Sequence, residues 1–302
     1  MSDKRRHAAF RATFIGATAV LMWATLALLT TLSGRVPPFQ LVAMAFSVAF
    51  SLALGKWLWN GEPVTDKLKL PVRVWMLGVA GLFGYHFFYF MALRNAPPVE
   101  AGLIAYLWPL LIVVASALLP GERLRWWHVL GALMGLAGTV ALVLGNNDGI
   151  ALTGFKSQYW LGYVMAIVCA LTWTAYSVLS RRLAHLPTDT VGAFCGATAI
   201  LATLAHLTFE QTIWPNGGQW LAVLGLGLGP VGAAFFTWDY GIKNGNIQAL
   251  GATAYAAPLL STLLLIAAGK GDATPTVALA CLMIVGGALL ASKDMLRRRH
   301  RR

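Results

Sequence analysis

His86 sits in Gly84-Tyr85-His86-Phe87-Phe88-Tyr89, inside the uncharged stretch Val74–Leu93. With Leu82, Tyr85, Tyr89 and Leu93 it traces one helical face. An ionisable side chain at such a depth is a functional candidate, and three roles are open. It can hydrogen-bond a bound substrate or cavity water, couple a proton, or stand as a satisfied structural histidine. Trp23, Trp108, Trp173 and Trp238 also fall deep in apolar runs, where an indole N–H finds no partner in hydrocarbon. They either pack the core or face a polar interior. Tyr106 and Tyr255 each precede a proline by three residues, Pro109 and Pro258. Both tyrosines are read as cavity residues, with packing as the alternative. Asp239 is the one acid inside a run, and Lys243 follows at i+4. That spacing makes an interfacial ion pair, or else a gate or coupling site.

The chemistry these residues offer is recognition without bond making. No Ser-His-Asp arrangement can be placed, no His/Cys/Asp cluster has ligand spacing, and no glycine loop opens a helix over a phosphate. Cys169, Cys195 and Cys281 lie within apolar runs and read as small packing residues. The sequence therefore points away from an enzyme and calls for no cofactor or metal. Aromatic faces, tyrosine hydroxyls and one histidine, with no Arg or Lys at depth, exclude a strongly anionic cargo. They suit a neutral or zwitterionic small molecule whose ammonium lies over a ring.

The elements that position these residues are membrane spans. The 58% hydrophobic share of the 302 residues, with 31 glycines added, makes about two-thirds of the chain apolar or glycine. A soluble domain is excluded on that ground. Ten uncharged or nearly uncharged runs follow one another: Ala12–Leu32, Phe39–Trp57, Val74–Leu93, Ala101–Leu119, Trp127–Leu144, Tyr159–Leu179, Thr190–Leu207, Trp220–Tyr240, Gly251–Ala268 and Pro275–Ala291. Each approximates the roughly 20 residues a helix needs to cross a bilayer, and none alternates like a barrel strand. The expectation is an all-α membrane protein of ten transmembrane helices. Ala12–Leu32 is too long for a cleaved leader and is kept as the first. Trp57, Trp59, Trp75, Trp126, Trp127, Trp160, Trp214 and Trp220 fall near span ends, as an interfacial belt does.

Charge sets the orientation. With the N-terminus inside, 19 of the 23 Lys and Arg residues fall on the cytoplasmic side; Arg35, Arg94, Lys156 and Lys270 fall on the other. Both termini are then cytoplasmic. The net charge of +12 is a topology signal rather than a nucleic-acid footprint, since no soluble module presents it to a groove. The tail Arg297–Arg302 is an anchor, with anionic lipid binding as the alternative. The oligomeric state is open, and a monomer is compatible.

The chain also repeats itself. Ala105-Tyr106-Leu107-Trp108-Pro109-Leu110-Leu111 aligns with Ala254-Tyr255-Ala256-Ala257-Pro258-Leu259-Leu260 at an offset of 149. Arg94-Asn95 aligns with Lys243-Asn244, Gly138 with Gly287 and Pro38 with Pro187 at the same offset; Trp23 aligns with Trp173 at 150. Two halves, 1–145 and 159–302, joined by 146–158, each hold five spans and so enter the membrane from opposite sides. That is the inverted repeat of secondary transporters, with the substrate near the midplane between halves. Pro109 and Pro258 interrupt matching spans. Gly225, Gly227, Gly229 and Pro230 loosen the eighth, and Gly78, Gly81 and Gly84 the third. These breaks are hinges or fixed kinks that shape the cavity. The steps Gly131–Gly135 and Gly225–Gly229 read first as helix packing.

With Gly121-Glu122-Arg123-Leu124 after the fourth span and Gly131…Gly138 in the fifth, this five-plus-five plan resembles the EamA-type drug/metabolite transporters over nearly the whole chain. Within them, Ala105–Leu111 and Gly84–Phe87 resemble aromatic amino acid exporters. The second half departs from the pattern, with Ala257 opposite Trp108 and Gly269-Lys270-Gly271-Asp272 in place of the Gly-Glu pair. The resemblance implies alternating access, an amino acid substrate, outward transport and a bacterial-type inner membrane. Exporters of other neutral metabolites or cationic drugs, and a membrane accessory subunit with no pathway, are the alternatives.

Overall fold

The computed structural model describes residues 3–145, 156–267 and 272–294. The 268–271 segment, the tail from 295 and the expected connector up to 155 lie outside the described residues. Among the described residues the chain is helical, with no strand. Nine helices among the described residues are long and apolar enough to cross a bilayer: α1 (His7–Leu32), α2 (Pro38–Trp59), α3 (Val72–Asn95), α4 (Pro98–Leu118), α5 (Trp126–Gly145), α6 (Ser157–Arg182), α7 (Thr190–Phe209), α8 (Gly217–Asn244) and α9 (Ile247–Leu264). A tenth apolar helix, α10 (Pro275–Ala291), has 17 residues. Phe14, Leu118, Leu221 and Leu282 stand on the outside, each more than two-thirds exposed. Water would not tolerate such a surface; hydrocarbon does.

Helix ends run beyond the apolar runs where polar residues cap them. At α8 the Asn216 side chain accepts from the Gln219 N–H, and the Gln219 side chain accepts from the Asn216 N–H. At α10 the Thr274 hydroxyl accepts from the Val277 N–H, and Pro275 occupies the first turn.

The main packings join helices from different halves of the chain. The helix α5 packs on α10, α2 on α7, α1 on α8, and α3 on α6. The third and fourth pairings map onto each other when five helices are added, as a repeat requires. The α5–α10 crossing is close: a Cβ on Gly131 would stand 2.4 Å from the Gly287 carbonyl oxygen, and one on Gly287 2.4 Å from that of Gly131. Only glycine lets these backbones meet so closely.

The α2–α7 pair is tied at both ends. At one end the Glu210 carboxylate, following α7, accepts from the Phe39 and Gln40 N–H groups at 3.0 and 3.1 Å. His206 Nδ1 lies 2.9 Å from the same carboxylate. At the other end, Asp189 pairs with Lys56 at 2.6 Å and Lys67 at 3.0 Å. It also takes the Trp57 indole N–H at 2.6 Å. Trp57 thus departs from the belt expected of it: it is fully buried, because Asp189 supplies the partner that lipid lacks. Trp59, Trp126, Trp160 and Trp214 stay exposed, as belt residues should.

Five spans are interrupted. Two interruptions are five-residue π-helical segments, Ala80–Gly84 in α3 and Gly229–Ala233 in α8. They are related by the 149-residue offset. Pro230 has no N–H to give the preceding turn, which accounts for the wider turn in α8. The helix α4 breaks at Tyr106 and Leu107, and α9 at Ala254 and Tyr255, one residue short of the repeat offset. Pro109 and Pro258 lie in the first turn after each break, where a proline costs little, rather than bending a continuous helix. The helix α1 is broken at Thr25.

Candidate functional site

The breaks surround one aromatic cluster. Trp23 of α1 lies 6.0 Å from Trp108 of α4, 6.0 Å from Trp173 of α6 and 5.0 Å from Trp238 of α8, ring centre to ring centre. Trp108 lies 5.8 Å from Trp238 and 6.2 Å from Trp173. All four deep tryptophans named from sequence therefore meet, mostly edge to face, the arrangement ring quadrupoles favour. Their rings meet at the centre, between the two repeats.

Two of these indoles are held by the protein. The Trp23 N–H donates to the Pro230 carbonyl at 3.1 Å, inside the π-helical segment of α8. That of Trp238 donates to the Ser177 hydroxyl at 3.1 Å. The α8 interruption thus has a local role: it presents a carbonyl sideways to a side chain of α1.

On one side of the tryptophans lie Tyr85, His86 and Tyr89, all part-buried. Tyr85 is 5.6 Å from Trp173, 6.1 Å from Tyr89 and nearly parallel to the latter. His86 packs against Phe46 at 5.4 Å, Phe90 at 6.2 Å and Phe235 at 6.2 Å. Its Nδ1 lies 2.7 Å from the Leu82 carbonyl, within the π-helical segment of α3. A carbonyl only accepts, so Nδ1 carries the hydrogen and Nε2 of the neutral ring is left as an acceptor. Among the described residues, the hydroxyls of Tyr85, Tyr89 and Tyr106 take no hydrogen-bond partner.

The repeat-related pair of tyrosines separates. Tyr106 is part-buried at the α4 break. Tyr255 is fully buried in a different apolar cluster, with Val113, Ala132 and Ile284. Its hydroxyl accepts the Leu110 N–H at 3.1 Å, taking over a donor that the break in α4 releases. Asp239 is buried and pairs with Lys243 at 2.8 Å on the same helix. Lys243 also donates to the Leu186 carbonyl at 3.2 Å. Gly131 and Gly135 pack, as expected, against Gly287 and Tyr255; Gly229 faces no neighbour within 4 Å. Cys169 and Cys195 are buried free thiols, and Cys281 is a part-buried one.

Phe46, Phe90, Phe235 and Tyr176 belong to the site and were not singled out from sequence. Phe235 stands 149 residues after His86, so the repeat register carried its signal. Tyr176 follows Trp173 by one helical turn and stacks on it at 5.2 Å. Phe46 had none, being one apolar residue among many in α2. Repeat-related residues face each other here, Trp23 with Trp173 and His86 with Phe235. Phe90 also lines a cleft of about 390 Å³ with Phe39, Arg94, Phe209 and Glu210, at the end of the molecule away from Arg123, Arg181 and Lys243. Among the described residues no group of three or more His, Cys, Asp or Glu could hold a metal ion.

A family model, the EamA-like transporter family, matches residues 11–144 and again 160–293. An aromatic amino acid exporter YddG of Ancylobacter novellus is 54% identical over 93% of this chain and 96% of its own length. One of the same name from Salmonella typhimurium is 26% identical over 84% and 87%. A probable terminal-alkyne amino-acid exporter of Streptantibioticus cattleyicolor is 24% identical over 80% and 77%. A solved crystal structure that is 54% identical superposes with a TM-score of 0.87, over 93% of this chain and 98% of that one.

Proposed function

Because the chain belongs to the EamA-like transporter family and is a multi-pass membrane transporter rather than an enzyme, we propose that it exports amino acids, aromatic ones preferred. Substrate binds beside the tryptophan cluster between the two repeats and is released by alternating access. The observation that carries this reading is the part-buried group of Tyr85, His86 and Tyr89, which meets the indole cluster where Tyr85 lies 5.6 Å from Trp173, with Tyr106 part-buried at the α4 break. It offers hydroxyls, one ring-nitrogen acceptor and ring faces, with no fixed charge. An aromatic side chain stacks there, and its ammonium lies over a ring or against His86 Nε2. Trp23, Trp173, Trp108 and Trp238 form the floor. Tyr255 acts through the α4 break, not by touching substrate.

The fold fits ten spans arranged five plus five in inverted topology. The pairings α1–α8 and α6–α3 are each other's repeats, and the π-helical segments of α3 and α8 recur at the repeat offset. With the basic residues inside, both termini are cytoplasmic and the membrane is the inner one of a bacterial cell. Its partners are the substrate and the bilayer. Pro109, Pro258, Gly229 and Pro230 mark where the broken spans flex, since each lies at a segment already short of hydrogen bonds.

The test is purified protein in liposomes offered labelled tryptophan, phenylalanine, threonine and a cationic dye. Tryptophan and phenylalanine are expected to move faster than threonine, and the dye not at all. Dye movement without amino acid movement would overturn the substrate assignment.

A further inference from the structure

The motif Gly121-Glu122 after α4 has no part in the aromatic site, yet it organises the arginine-rich end of the molecule. Gly121 takes φ +81°, a left-handed value that other residues resist, and so turns the chain sharply out of α4. The Glu122 N–H closes the turn onto the Leu119 carbonyl at 3.2 Å. The turn delivers the Glu122 carboxylate to two elements of the other half. One oxygen pairs with the Arg181 guanidinium at the end of α6; the other accepts from the Gln248 side chain at the start of α9, at 3.1 Å. Arg181 also donates to the Ile242 and Gly245 carbonyls at 2.6 and 2.8 Å, which end α8. Arg182 beside it donates to the Leu118 carbonyl at 2.8 Å.

We propose that Glu122 is the latch that holds the arginine-rich end shut, and that its bonds to Arg181 and Gln248 break each time that end opens. The proposal rests on the transport reading above. The ion pairs of Asp239, Asp189 and Glu210 do not suit the task. Asp239 and Lys243 ride on one helix and stay together whatever the helices do. Asp189 and Glu210 clamp α2 to α7 at opposite ends, so that pair behaves as a fixed frame. Glu122 follows the broken helix α4 of one half and bonds α6 and α9 of the other by one carboxylate, with Arg181 carrying the tie on to the end of α8. Its side chain and that of Arg181 keep 19% and 22% of their surface in solvent, so both are rehydrated readily on release. Arg181 retains its two α8 carbonyls when Glu122 leaves, because α6 and α8 belong to the same half.

The test is a reversible cross-link in the full chain, in a parent carrying Cys169→Ala, Cys195→Ala and Cys281→Ala. Glu122→Cys and Gln248→Cys are introduced together, and transport of labelled tryptophan into liposomes is measured after oxidation and after reduction. The disulfide is expected to form, to cut the rate about tenfold or more, and to release it on reduction. Failure to form it, or an oxidised rate within about twofold of the reduced one, overturns the latch. A parent that moves no amino acid fails earlier and rejects the transport reading itself, and the latch with it. In Glu122→Gln, single Gln248→Cys is expected to react with an impermeant maleimide about threefold faster or more, because the closed state is weakened. An unchanged labelling rate counts against the latch, whatever the effect on folding.

Discussion

At the scale of single residues, depth in the membrane separates function from packing better than residue type does. Four of the twelve tryptophans lie deep, and those four meet. His86 is fixed by its Nδ1 contact to Leu82, which leaves one acceptor for a ligand. Replacing it by Ala removes one hydrogen bond and is expected to lower kcat/KM for tryptophan about tenfold, the worth of roughly 1.4 kcal/mol. His86→Gln, which keeps an acceptor, is expected to recover part of the loss in the same uptake assay. Outside the spans, burial pushes the Asp189 carboxyl up, but hydrogen bonds from Lys56, Lys67 and Trp57 outweigh it and hold it below the usual carboxylate range. A depressed folded value stabilises the protein above the unfolded pKa of about 3.9, and the gain is lost as pH falls through the lower folded value. Asp189→Asn is therefore expected to unfold at a lower temperature than the parent at pH 7 in detergent. The gap should close on acidification below about pH 4. A gap constant with pH would mean that the ion pairs contribute nothing. Asp189 carried no sequence signal, because its partners, Lys56, Trp57 and Lys67, lie more than a hundred residues away in the chain.

Among the elements, the interruptions carry the most information. Glycine and proline marked α3, α4, α8 and α9 as broken in the sequence, and the structure gives each break a form. Two are π-helical segments and two are gaps of a single turn. What the breaks do with their freed groups required the fold. The Pro230 carbonyl goes to Trp23, and the Leu110 N–H goes to Tyr255. Pro109→Ala and Pro258→Ala are expected to slow turnover several-fold by letting α4 and α9 close up, with substrate affinity little changed. Full activity in both would show that the breaks are fixed. The α5–α10 crossing admits no side chain at Gly287, so Gly287→Val is expected to destabilise the protein by about 3 kcal/mol or to prevent its accumulation in the membrane. A normal melting temperature would mean that these helices separate easily.

For the whole molecule, the expected topology is checked with reporters fused at either terminus. Both fusions should report the cytoplasmic side; a split result would remove the inverted five-plus-five plan. Composition, span length and the 149-residue offset determined by themselves that the chain is a helical membrane protein built as a repeat, because hydrocarbon permits few ways to satisfy a backbone. They also determined which residues lie too deep to be lipid surface. Only the tertiary structure decided which of them meet. Tyr106 and Tyr255 occupy equivalent places in the sequence, yet one is part-buried at the α4 break and the other closes a gap in a neighbouring helix. Glu122 is an ordinary loop acid in the sequence and a junction of three helices in space. Periodicity records how deep a residue lies and on which face. Its partner comes from another span and is chosen by packing, which no stretch of the chain records alone.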